Sequence, residues 1–350
     1  MARIEIRDYQ GDFKDLAEFG RRVWVEKYAG KTWFPVPDPA FMRWRVAPER
    51  GGFNPIAYKS GEIVGSVFSF PHTLRIGDTV FPVAISTGFT VDESQPGVAL
   101  ALVQRLRQGT EERGAALGIG MVLDDPTSYS YRFWTKYAET FPQNFRIVFK
   151  GGFWAKFLAP HALARAGITA FERIANRTLG PLLRFTPHRY DPHVRPYRAD
   201  DLYRCAQMLQ KSTAGFDWAM AWQPEQLSVQ LENPEYQTLL FERDGRVQGM
   251  VNYHCIPMQG RELIQSAMID LWADEGLGFA DRVRLLSHLC IHLAERGVHA
   301  VVAPRSAMMP APAFVANLFM PAPQGFFIGV FPTSHAVPLS PPKTWDLMVM

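Results

Sequence analysis

Cysteine is scarce: only Cys205, Cys255 and Cys290 occur among 350 residues, and no two stand at the CxxC spacing of a zinc or redox site. That excludes a disulfide framework and fits a reducing compartment. Long apolar runs are missing too. No stretch approaches the roughly 20 apolar residues that span a bilayer, and the opening MARIEIRDYQGDF has no signal-peptide core. A soluble, cytoplasmic protein with no membrane partner is the expectation. Nor is there an excess of one charge. Lys and Arg number 37 against 34 Asp and Glu, a net charge of +3. It is too small and too dispersed for a nucleic-acid partner, which needs basic residues clustered against phosphates. What the chain does have is 47% hydrophobic and 20% charged residues, the balance of a folded globular protein. Its length exceeds what one hydrophobic core usually serves, which predicts two domains.

The two domains are copies of one pattern, because three landmarks recur in order. Ile6-Arg7-Asp8-Tyr9 matches Val194-Arg195-Pro196-Tyr197 at an offset of 188. Gly61-Glu62-Ile63-Val64-Gly65 matches Gly245-Arg246-Val247-Gln248-Gly249 at 184, and Glu112-Arg113-Gly114 matches Glu295-Arg296-Gly297 at 183. In each copy an apolar strand reaches a tight turn where Gly supplies the positive φ of a two-residue hairpin, and a second strand pairs back. In the first copy this continues through a turn at Gly77-Asp78 into a strand over Thr79–Val91, making an antiparallel meander. Helical spacing of Val98, Leu102, Val103 and Leu106 then predicts a helix over 97–113, capped by Gly114, and a strand over Leu117–Leu123 follows. The second copy repeats this with a strand over 264–273, a helix carrying Val283, Leu286, Leu289 and Leu293, and a strand over 298–303. The predicted organisation is an N-terminal domain over 1–159, a helical connector over 160–187 and a C-terminal domain over 188–350. The connector carries Leu163, Phe171, Ile174 and Leu182 on one side, with Arg165, Arg173, Arg177 and Arg184. A helix packed between the domains is preferred over one lying on a membrane, because the apolar side must bury somewhere.

The order strand, helix, meander, Gly-rich turn, helix, strand, helix resembles that of the GNAT superfamily of N-acetyltransferases, twice over nearly the whole chain. The resemblance implies an α/β fold of two tandem GNAT-like acyl-CoA N-acyltransferase domains, each a mixed, mostly antiparallel central sheet flanked by helices. It also implies transfer of an acetyl or other acyl group from acetyl-CoA or another acyl-CoA, the cosubstrate, to an unidentified amine by direct attack, without a metal. The alternative is a catalytically inactive protein of this fold that binds acyl-CoA or a partner. In the family, a turn of the form Arg/Gln-x-x-Gly-x-Gly/Ala at a helix start holds the coenzyme A pyrophosphate, through free N–H groups and the positive end of the helix dipole. The matching segment runs from Val91 through Gln95, Pro96, Gly97, Val98, Ala99 and Leu100 to Ala101. Ala99 stands for the central Gly, and Pro96 for the leading Arg or Gln unless Gln95 shifts in to serve. The implied cofactor-binding residues are Thr90, Val91, Gln95, Gly97, Val98, Ala99, Leu100, Ala101 and Trp134. In the second copy the stretch Phe279 to Arg284 has no glycine and carries large side chains, so the acyl-CoA site is expected in the first.

The resemblance also implies a Tyr, on the helix after the fifth strand, that protonates the leaving thiolate. Aligning Lys136 with the family pattern puts Trp134 where that Tyr stands, and Trp has no acidic proton to give. Tyr131 and Tyr137, one turn to either side, are the candidate acids, and Asp125 at the preceding strand end is the candidate catalytic base. Asp92, Glu93 and Asp124 occupy similar strand-end positions. Thr87-Gly88, in the middle of the fourth strand, falls where the family places a bulge that admits the pantetheine arm, and Gly inside a strand independently suggests one. Trp24, Trp33, Phe34, Phe41 and Trp44 cluster around Pro35, Pro37 and Pro39, either as ordinary core or as the lining of an acceptor cleft. His288 and His292 share a helix face as metal ligands can. No third ligand is near in sequence, and no metal is expected.

Overall fold

A computed structural model describes residues 3–45, 51–188, 190–333 and 337–347, and for Phe41, Trp44 and Arg45 the backbone alone. The first copy comprises β1 (Glu5–Asp8), α1 (Phe13–Tyr28), β2 (Phe34–Pro35), α2 (Pro39–Arg45), β3 (Pro55–Lys59), β4 (Glu62–Ile76), β5 (Thr79–Val91), α3 (Val98–Glu112), β6 (Leu117–Leu123), α4 (Tyr129–Thr140) and β7 (Arg146–Phe157). Three helices follow, α5 (Pro160–Ala166), α6 (Ala170–Thr178) and α7 (Gly180–Leu183). The second copy repeats the order as β8 (Val194–Pro196), α8 (Leu202–Thr213), β9 (Trp218–Met220), α9 (Pro224–Leu231), β10 (Tyr236–Arg243), β11 (Arg246–Gln259), β12 (Leu263–Asp274), α10 (Phe279–Glu295), β13 (Ala300–Pro304), α11 (Ala311–Ala316) and β14 (Met320–Pro332). A short β15 (Trp345–Asp346) ends the described chain.

The repeated glycines do the same work in both halves. Ser60-Gly61 (φ 53° and 86°) and Asp244-Gly245 (φ 53° and 70°) turn β3 into β4 and β10 into β11, both residues of each pair being left-handed as a two-residue hairpin requires.

The copies do not form separate sheets. The strands run β1-β3-β4-β5-β6-β14-β7-β13-β12-β11-β10-β8 in one sheet, an order that reads the same from either end once equivalent strands are matched. The last strand of each copy has crossed over. β14 lies between β6 and β7, from Phe326↔Leu123 to Pro332↔Leu117 on one side, while β7 pairs with β13 from Ala300↔Phe157 to Pro304↔Phe153. The short strands cross as well: β2 pairs with β11 and β9 with β4. Arg75 Nη1 reinforces the second crossing, donating to the carbonyl of Phe216 at 3.1 Å. One apolar core accordingly draws on both halves, joining Leu74, Ile85 and Leu117 to Met250, Leu289 and Val330. A second fills the space between the sheet and helices α3 and α4.

The connector departs from the packed helix expected of it. Only α5 buries its apolar residues, with Leu163, Ala164 and Ala166 against the sheet. On α6 and α7 the apolar side chains face water: Phe171 is 80%, Ile174 61% and Leu182 68% exposed. The bend between α5 and α6 turns the inward face of α6 to Asn176 instead.

Candidate functional site

The parallel pairing of β5 with β6 runs from Val83↔Leu117 to Ser86↔Gly120 and stops there. β5 continues to Val91, so its last residues diverge from β6. At the point of divergence Gly88 has φ +65°, and the register with β4 slips between Ser66 and Phe68, which is the bulge read from Thr87-Gly88. A Cβ at Gly88 would run into the Phe68 ring, so glycine is required twice over, by conformation and by space. The Ser66 hydroxyl donates to the Gly88 carbonyl at 3.2 Å.

Helix α1 closes over the diverging end. Trp24 Nε1 donates to Thr90 Oγ1 at 2.9 Å. The Tyr28 hydroxyl donates to Glu93 at 3.2 Å and accepts the N–H of Tyr129 at 3.0 Å, and Lys27 pairs with Glu93 at 3.1 Å. Next along the chain, α3 begins at Gly97 with φ 86°, no side-chain cap and no acidic residue in its first turn. The space above Gly97 is open to 4 Å. Beside it Lys59 Nζ donates to Gln95 Oε1 at 2.6 Å. An uncapped helix start with a lysine nearby has free N–H donors and positive potential, which suits a phosphate.

Between the diverging strands opens a cavity of about 910 Å³, near the upper end of ligand-site volumes. It runs past the bulge and β6 to β7, β12, β13, β14 and helix α6, so both copies and the connector wall it. Among the described residues its lining is mostly apolar and contains no His, Cys, Lys or Arg; the carboxylates are Asp125 and Glu172. Glu172 is committed to the cap of α6, accepting the N–H groups of Ile168 at 2.7 Å and Thr169 at 3.1 Å. Burial pushes the Asp125 carboxyl up, but hydrogen bonds from Thr32 and Thr127 outweigh it and hold the group below the usual carboxylate range.

The sequence-derived residues divide accordingly. Thr90, Val91, Asp125 and Trp134 line the cavity. Gln95, Gly97, Val98, Ala99, Leu100 and Ala101 form the helix start and do not line it. Tyr131 and Tyr137 do not reach it. The Tyr131 ring packs on Phe327 at 6.0 Å. Tyr137 is buried among Trp134, Phe141 and Phe145, where burial raises its hydroxyl pKa and a hydrogen bond with Asn144 partly offsets the rise. From the same helix the cavity takes Tyr129, Ser130 and Trp134 instead, because α4 starts at the cap Ser128 and its first turn faces α1. Of the aromatic cluster, Trp24 and Trp33 line the cavity with Pro35 and Pro37, Phe34 is buried behind Trp24 at 5.6 Å, and the side chains of Phe41 and Trp44 lie outside the described residues. Tyr28, Tyr129, Ser266 and Met268 were not anticipated. Only Tyr28 had a signal in the sequence, its place one turn after Trp24.

In the second copy the equivalent helix start is occupied by its own side chains. Asp281 occupies the first turn of α10 and pairs with Arg243 at 2.9 Å. Asp274 pairs with Arg282 at 2.6 Å and Glu275 with Arg204 at 2.6 Å, so this helix start is engaged in its own ion pairs. Trp272 and Phe314, ring centroids 6.4 Å apart and both at most 1% exposed, fill the interior beside it. His288 Nδ1 accepts the N–H of Asp191 at 3.1 Å, and among the described residues no three His, Cys, Asp or Glu side chains gather as metal ligands.

The sequence matches no known family profile and no curated protein. Its structure is similar to solved ones. Against N-myristoyltransferase of Saccharomyces cerevisiae with bound myristoyl-CoA the TM-score is 0.74 at 11% identity, covering 95% of this chain and 83% of that one. The chain has a tandem GNAT-like fold. A second structure of that enzyme, with myristoyl-CoA and inhibitors, gives 0.73 at 11% identity over 99% of this chain and 82% of the other. A conserved protein of unknown function from Enterococcus faecalis V583, described as a probable N-acyltransferase, gives 0.54 at 9% identity over 94% and 72%. In the GNAT-like frame the cavity occupies the divergence of the fourth and fifth strands of the first copy.

Proposed function

We propose that the chain is an acyl-CoA-dependent N-acyltransferase whose donor carries a long acyl chain. The observation that supports this is the apolar cavity of about 910 Å³ opening from the β5–β6 divergence. An acetyl group would leave nearly all of that wall without a partner, whereas each buried methylene contributes about 0.8 kcal/mol. Of the cosubstrates the sequence leaves open, acetyl-CoA or another acyl-CoA, this favours the longer donor.

In this reading the pyrophosphate sits at the start of α3, near Gln95 to Ala101, and the pantetheine arm runs along Thr90 and Val91. The thioester lies at Gly88, where β5 has left β6 and its backbone groups on that side are free to face developing negative charge. The amine nitrogen attacks the thioester carbonyl carbon, the C–S bond breaks, and the thiolate leaves and takes up a proton. Direct attack suits a wall that, among the described residues, has no cysteine and no histidine to activate a serine. Asp125, held ionised, accepts the ammonium proton directly or through water. The packing of Tyr131 and Tyr137 away from the cavity argues against either as the acid.

Calorimetry on the full chain tests the donor. Myristoyl-CoA should bind at least about 100-fold more tightly than acetyl-CoA, since burial of only a few methylenes supplies that factor; equal affinities would overturn the assignment. With a responsive amine in hand, Asp125→Asn should slow thiol release by about 100-fold or more. Tyr131→Phe and Tyr137→Phe should each change it less than about threefold. A large loss in either would restore the acid role.

A further inference from the structure

The connector breaks the usual rule for surface side chains. Phe171, Ile174, Leu179, Leu182 and Phe185 are 80%, 61%, 53%, 68% and 58% exposed, a concentration of apolar surface that soluble proteins reserve for interaction sites. It is also cationic. Between residues 160 and 188 there are four arginines and one acid, Glu172; Glu172 is held at the cap of α6, and Arg165 is paired with Glu262 at 3.0 Å. Arg177 and Arg184 stand exposed among the apolar residues.

The exposed side chains are held in place rather than left loose. Lys156, fully buried, donates to the carbonyl oxygens of Leu183 at 3.2 Å, Phe185 at 2.8 Å and Asn317 at 2.7 Å, tying the end of α7 to the second copy. Gly180 packs so tightly on Pro160 that a Cβ would collide with it. The fold thus fixes the backbone while leaving Leu182 and Phe185 in water. On its other side α6 meets the cavity, which Ala175 and Asn176 line together with the exposed Phe171, and Asn176 Oδ1, on a residue 6% exposed, has no hydrogen-bond partner.

We infer that residues 170–185 dock on an anionic lipid surface and seat the connector end of the cavity against the bilayer. Large apolar residues interspersed with arginine are what an interfacial helix needs, since the apolar groups enter the acyl boundary while the guanidinium groups meet lipid phosphates. A second copy fits less well, because a two-fold contact would set the same arginines against each other. This takes up the second sequence reading of the connector, a helix lying on a membrane; the packed helix is preferred from sequence because the apolar side must bury somewhere, and a bilayer surface is such a place. The link to the cavity rests on the acyl-CoA reading; the docking does not.

Co-sedimentation of the full chain with vesicles tests it, using phosphatidylcholine alone or mixed with phosphatidylglycerol. The chain should partition onto the mixed vesicles and much less onto the neutral ones, with added salt weakening it. Leu182→Glu with Phe185→Glu should lower partition by roughly tenfold or more, and Arg177→Gln and Arg184→Gln by on the order of fivefold each. Thermal melting should be unchanged in all of these, since the side chains touch little. Absence of binding by the folded chain, or undiminished binding of the Leu182→Glu/Phe185→Glu variant, would overturn the proposal. So would a dimer in sedimentation equilibrium that this variant dissociates while vesicles stay unbound. Calorimetry of the same variants with myristoyl-CoA separates a failure of docking from a failure of the acyl-CoA reading.

Discussion

His72 shows how far a single residue can depart from its ordinary chemistry here. It is 6% exposed, its ring meets Trp222 edge-on at 4.6 Å, and Nδ1 accepts the Thr73 N–H at 2.8 Å. Burial lowers its pKa to about 4, so the folded chain holds it neutral. Between pH 6.5 and about 4 the unfolded chain binds a proton that the folded chain refuses, so stability is present above this window and is lost as pH falls through it, on the order of 3 kcal/mol in full. Asp346 acts oppositely: burial raises it to about 7, so its contribution is present at low pH and fades as pH rises toward 7. Urea titrations across pH 4 to 7 should find that His72→Phe, which keeps a ring against Trp222, removes most of the acid-side loss. An unchanged acid limb would mean that the ring titrates freely. Neither residue drew notice in the sequence, because an isolated His on a strand says nothing of what buries it. Gly61, Gly88 and Gly245 were readable because the need for glycine is local, set by φ and by the neighbouring strand.

At the scale of elements, the start of α3 carries two opposed demands. A helix N-terminus favours an acidic residue in its first turn by about 0.3–1 kcal/mol, yet α3 has none, while α10 has Asp281 in the equivalent turn. Leu100, 40% exposed in the first turn of α3, separates the demands. Leu100→Asp should leave the melting temperature unchanged or slightly raised while weakening coenzyme A binding in calorimetry by roughly tenfold, through repulsion of the pyrophosphate. Unaltered affinity would move the phosphate site elsewhere. The helices, the meander and this helix start were legible because their signals are periodic and local. The cavity was not, since its walls come from α1, β5, β6, β12, β14 and α6 together, and no sequence window contains them. The exposed face of α6 and α7 was misread for a related reason: amphipathic spacing reports a one-sided helix but not what that side meets.

For the whole molecule, the crossed strands make the two copies one cooperative unit. Residues 1–159 alone would lack β14 between β6 and β7 and β9 beside β4, leaving open edges and half a core. That fragment should show no cooperative thermal transition by circular dichroism, and a cooperative melt would show that the crossings are dispensable. Sequence repetition revealed the duplication, and the offsets of 188, 184 and 183 kept its elements aligned. Which copy each strand pairs with could not be read, because β7 and β14 serve either neighbour with the same apolar residues.

The position of β14 also sets a schedule for synthesis. The strand that fills the middle of the sheet leaves the ribosome long after the strands it joins: β7 ends at Phe157 and β14 at Pro332, 175 residues later. At about 5–20 residues per second, the nascent first copy waits roughly 9–35 s with β6 and β7 apart and their edges bare. During that interval neighbouring nascent chains on one message present the same vacant slot to each other's β14, so the exchange that unites the two copies within a chain is also its most direct route to joining two chains.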